Sequence, residues 1–134
     1  MKCSPTYYHN RRLLKELANE NTEFRPKKKD VEEWFDILNE QIFGNKLEPF
    51  PEIRVKKSTW YHAMFYYWTE KEEQDPELEI HNCFKNKKLF VEILAHEMVH
   101  YFQHTYYEPV GHGPSFMAWR DNFKLRGLIL YKVA

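Results

Sequence analysis

The chain has 134 residues, with 20 basic and 20 acidic side chains, 43% hydrophobic residues and 17% aromatic residues. That length holds one compact domain, and that apolar content excludes wholesale disorder. No apolar run reaches the ~18 residues of a membrane span, so no membrane association is expected.

Met1 to Asn10 lacks the apolar core of a signal peptide. Cys3 and Cys83 are too few for a disulfide framework and read as free thiols. Both features lead us to expect a cytoplasmic protein. Charge is unevenly spread, at +4 over residues 1–30, −7 over 31–80 and +3 over 81–134. The one dense basic cluster, Arg25 to Lys29, reads first as a solvated linker before a helix.

Leu13, Leu14 and Leu17 suggest a short helix over Arg11–Asn19. Pro26 and the lysines end that pattern. A second helix is expected over 30–43, capped by an Asp30/Glu33 box. Its apolar face is Val31, Trp34, Phe35, Leu38 and Ile42, and Gly44 stops it. Residues 47–83 read as strands. Ile53–Val55 alternates, and Trp60–Trp68 is dense in strand formers with both faces largely apolar. The acidic stretch Glu70–Pro76 is a loop, and Leu78 and Ile80 mark a third strand. From about Asn86 to Tyr106 the apolar spacing is again helical, as an amphipathic helix. Pro114 suits the first turn of a last helix bearing Phe116, Trp119 and Phe123, ended by Gly127. Leu128 to Val133 is a short strand or tail. The order is α-α-β-β-β-α-α, an α+β domain whose small three-stranded sheet is expected to be antiparallel.

The segment His96-Glu97-Met98-Val99-His100 lies inside the strongest helix. Two histidines four apart share a helix face, so their imidazoles can converge on one Zn²⁺. Glu97 lies beside them, where it can take a proton from water on the metal. Chance alone would place about 0.04 such motifs in a chain of this composition.

A catalytic zinc usually has three protein ligands. His104 lies about 6 Å further along the helix axis than His100 and is out of reach. The metzincin pattern fails, because Gln103 and Tyr106 stand where Gly and His are needed. Beyond Glu108 the only downstream carboxylate is Asp121. His112 remains. It follows the helix-breaking Glu108–Gly111 segment, and Gly111 and Gly113 allow a tight return over the metal. His62 and His81, in the strand block, read as structural. Trp60–Trp68 reads as core, or alternatively as a sheet edge to which a peptide adds as a strand. Tyr101, Tyr106, Tyr107 and the strand tyrosines are open candidates for stabilising an oxyanion.

The HEMVH segment, a 10-residue spacer and Gly111-His112-Gly113-Pro114-Ser115-Phe116 together resemble the SprT-like zinc metallopeptidases, which include the Spartan proteases. The resemblance covers roughly residues 29–131, including the helix that ends in Gly-Asn-Lys-Leu47. It implies a zincin-like metallopeptidase domain over 29–134, preceded by a helical and basic extension over 1–28. It also implies one zinc per chain on His96, His100 and His112, with Glu97 as catalytic base. The substrate would be a protein or peptide, with DNA as a further partner because better-known members cleave DNA-crosslinked proteins. No cysteine follows Cys83, so the zinc ribbon of many members has no counterpart, and Ser115 stands where an acidic residue is common. A lone core of this size suits a monomeric phage or bacterial protein. The alternative is a catalytically weak zinc-containing module that binds DNA or protein. Glu97 favours the enzyme, since a pure binding site has no need of that carboxylate.

Overall fold

A computed structural model describes residues 22–58, 61–67 and 76–132. The helix expected over Arg11–Asn19 lies outside the described residues, as do Cys3, Trp60 and Trp68. The elements are α1 (Lys28–Gln41), β1 (Glu52–Lys56), β2 (Ala63–Tyr66), β3 (Glu77–His81), α2 (Lys87–Thr105), α3 (Pro114–Met117) and α4 (Arg120–Leu125). The α+β class stands.

Helix α1 buries Val31, Trp34, Phe35 and Leu38, the face read from the sequence. Its cap differs. Asp30 is the third helical residue, and its carboxylate reaches back to accept the Lys27 amide at 2.8 Å. An acid there also suits the positive end of the helix dipole. Gly44 takes φ +60°. The chain is then pinned back by Asn39, whose side chain donates to Leu47 O and accepts from Leu47 N–H.

The expected antiparallel sheet is corrected to a mixed one. Its strand order is β1-β3-β2, with β3 antiparallel to β2 but parallel to β1. Two features of the strands account for this. Strand β3 has three consecutive buried residues, Leu78, Glu79 and Ile80, and so suits the centre, while β1 has none. The acids of β3 also face the bases of β1, with Arg54 paired to Glu77 and Lys56 to Glu79. Such pairs are individually weak but favour this neighbour over another. Strand β2 is therefore an edge, shorter than Trp60–Trp68. Its Ala63 and Phe65 are buried, whereas Met64 and Tyr66 are exposed, so it is not covered on both faces as expected.

Helix α2 begins at Asn86, whose side-chain oxygen accepts the Leu89 amide at 2.7 Å. It is not the amphipathic surface helix its spacing suggested. Every residue from Phe90 to Tyr101 is buried, so α2 is the central element, covered by α1 and β2 among others. The last expected helix is two short ones, α3 and α4, separated at Ala118–Trp119. Phe116 and Phe123 enter the core together with Phe43, Phe84 and Phe90. Among the described residues, 128–132 form no strand. They are an extended tail that buries Leu128 and Leu130.

Candidate metal centre

The return from α2 to α3 carries His112. Helix α2 ends in a Schellman motif, with Glu108 N–H on Gln103 O (2.8 Å) and Tyr107 N–H on His104 O (3.4 Å). The left-handed residue of that motif is Tyr107, at φ +59°. This corrects the role expected for Gly111 and Gly113. Neither has positive φ, and a Cβ on either would meet nothing within 4 Å. The reversal is made four residues earlier, by the helix cap.

That turn brings His112 over the paired histidines of α2. His96 Nε2 lies 3.2 Å from His100 Nε2 and 3.4 Å from His112 Nε2. Two nitrogens on one tetrahedral zinc, each ~2.05 Å from it, sit about 3.3 Å apart. The opposite ring nitrogens decide what faces the centre. His96 Nδ1 donates to the Tyr131 carbonyl at 2.7 Å, and His100 Nδ1 donates to Gln103 Oε1 at 2.9 Å. With the protons held there, both Nε2 atoms present lone pairs to one another. Lone pairs at such distances repel unless a cation lies between them, so the donor set fits a zinc-like ion. Among the described residues, the cluster that could hold a metal is His96, His100 and His112.

Burial tunes the titration. Burial first, and then His100 and His112 nearby, push His96 down to about 3. Burial also lowers His100, against the pull of its bond to Gln103. Both are therefore neutral at neutral pH, the form that binds metal. Glu97 is 3% exposed, with Oε1 4.0 Å from His96 Nε2. Burial pushes its carboxyl up to about 8, opposed by a hydrogen bond from the Phe65 backbone on β2. His112 is exposed, which leaves the cluster open on its side.

His104 lies apart from this arrangement. Its ring packs against Phe65 and Tyr67, with centroids 6.0 and 5.6 Å away. The sheet histidines have structural partners. His81 Nδ1 accepts the Ser58 amide at 3.0 Å, and the His62 ring stacks on Phe84. Tyr101 and Tyr106 donate their hydroxyls to the carbonyls of Pro49 and Lys46, and Tyr107 is 95% exposed.

A family model for SprT-like proteins matches residues 31–128. The chain belongs to the SprT-like family. A search of curated proteins returned no match. In this SprT-like chain several supporting groups escaped the sequence reading. The ring of Phe116, fully buried, contacts all three imidazoles, with centroids 4.9, 5.1 and 4.8 Å from His96, His100 and His112. Its position on the core face of α3 was legible, but its neighbours were not. Gln103 lies three residues after His100, on the same helix face, and that spacing is a signal that could have found it. The Tyr131 carbonyl and the Phe65 amide are backbone groups, which no side-chain pattern reveals.

Proposed function

We propose that the chain is a zinc-dependent endopeptidase with His96, His100 and His112 as ligands and Glu97 as general base. The observation that carries this is the convergence of three imidazole nitrogens beside a buried, otherwise unneeded carboxylate. A zinc ion held there supplies a Lewis acid for the scissile carbonyl and a lowered pKa for water. The chain's own groups do the rest. Tyr131 O and Gln103 Oε1 hold the two imidazoles in the ligating tautomer. The Phe65 amide orients the Glu97 carboxylate, which takes a proton at its free oxygen and can return it to the leaving amine. The open side at His112 admits an extended protein or peptide substrate.

The substrate we propose is a protein chain, handled by a monomer in the cytoplasm. Its narrower form is a protein associated with DNA, as in better-known members that this chain resembles. Exposed Lys27, Lys28 and Lys29 at the start of α1 support contact with phosphates. The test is Glu97→Gln in the zinc-loaded protein. Zinc content should be retained and casein cleavage should fall by at least about 10²-fold. Unchanged cleavage with full zinc would remove Glu97 as the base. A wild type that binds zinc and cleaves nothing, with or without single-stranded DNA, would favour the binding module instead.

A further inference from the structure

Gln103 is 0% exposed, an unusual place for a primary amide in a helix interior. Every polar atom of its side chain is engaged. Oε1 accepts His100 Nδ1–H at 2.9 Å and Gly111 N–H at 3.3 Å. Nε2 donates to Gly111 O at 3.2 Å and Ser115 Oγ at 2.9 Å. The amide therefore grips Gly111 from both its N–H and its C=O, as a strand partner would, and Gly111 directly precedes His112. The same oxygen fixes the tautomer of His100. The orientation of the amide is set by Gly111, since a flip would turn NH₂ towards Gly111 N–H and the amide oxygen towards Gly111 O and break both of those bonds. His112, by contrast, is exposed and lies on a loop whose glycines impose no conformation of their own. Something else must place it.

We infer that Gln103 is the positioning residue that joins the third histidine to the two on α2, an inference that rests on the metal reading above. One side chain senses both that His100 is correctly protonated and that the His112 loop is docked. The centre is thereby built before metal arrives, and the ordering of His112 is not left to the ion. Gln suits this role where Glu does not. A carboxylate would still accept from His100 Nδ1, but it has no N–H for Gly111 O and would repel that carbonyl.

The experiment measures zinc affinity by competition with a chromophoric chelator. It compares the full chain, Gln103→Glu, His112→Ala and the double variant. Gln103→Glu should weaken zinc binding about 10–100-fold in the otherwise natural chain. In the His112→Ala background the same change should cost less than about threefold, because the residue it positions is gone. Equal losses in both backgrounds, or no loss in the first, would overturn the role of Gln103 while leaving the metal site standing. If Gln103→Glu does not fold, Ser115→Ala serves the same cycle without touching α2. A several-fold loss that vanishes with His112→Ala supports the inference, and an additive or absent loss overturns it. A wild-type chain with no measurable zinc affinity would overturn the metal reading itself, before any variant is compared.

Discussion

Glu97 should destabilise the metal-free protein at neutral pH, and the size of the effect follows from its burial. Its carboxyl titrates near 8 in the folded chain against 4.5 in an unfolded one. An acid whose folded pKa is raised holds its proton longer in the folded state. Between pH 4.5 and 8 the folded chain therefore binds more protons than the unfolded chain, and stability falls as pH rises through that window. At about pH 7.5 the cost is about 4 kcal/mol, and at about pH 5 it is about 1 kcal/mol. Glu97→Gln removes the ionisation while its amide oxygen can still accept the Phe65 N–H. Its extra buried N–H offsets about 1–2 kcal/mol of the gain. The metal-free variant should thus be more stable than the parent by about 2–3 kcal/mol at about pH 7.5, with the advantage gone near pH 5. His96 has the opposite sign. Its folded pKa of about 3 lies below the ordinary histidine value of 6.5, so its contribution is lost as pH falls from 6.5 towards 3. Both proteins contain His96, so the difference between them isolates Glu97. Urea unfolding of chelator-treated protein at the two pH values reads the effect directly. A Gln variant no more stable at neutral pH, or a gap that fails to shrink on acidification, would refute the reasoning.

Phe116→Ala removes a fully buried ring that packs on all three imidazoles. It should cost about 3–5 kcal/mol in urea unfolding and should also weaken zinc binding, whereas a core phenylalanine away from the site, Phe84, should cost stability alone. Tyr107→Gly should act in the other direction. Tyr107 holds φ +59° with 95% of its surface exposed, so glycine relieves left-handed strain without losing packing. A gain of about 1 kcal/mol with zinc affinity unchanged is expected, and a loss of stability would mean that the ring makes contacts that matter.

How much of this was legible follows from the range of each interaction. The apolar face of α1 was legible because periodicity is local, and so was the His96–His100 pair, which needs only one turn of helix. His112 was reachable by elimination, since few downstream side chains can bind metal. The mechanism of its return was not. The sequence points to glycines, yet the reversal is set by the backbone of Tyr107, a residue type that rarely adopts the left-handed region. The sheet was misread as antiparallel because pairing depends on partners distant in the chain. Alternation in β2 and β3 says which faces are apolar, but not that β3 will separate β1 from β2.

The burial of α2 on all sides is the feature that ties fold to site, and periodicity alone concealed it. An amphipathic reading places the histidines on a surface, with water available to every ring nitrogen. In the folded chain water is displaced, so each Nδ1 must find a protein acceptor or carry the cost of a buried unpaired donor. One acceptor comes from the helix itself, Gln103, and the other from the tail, Tyr131 O. The tail is held in turn by the buried Glu92, which accepts the Ile129 amide at 2.6 Å and pairs with Lys88. Residues 128–132 are therefore part of the scaffold of the centre. Their apolar anchors, Leu128 and Leu130, fix a carbonyl that in turn fixes the proton of His96.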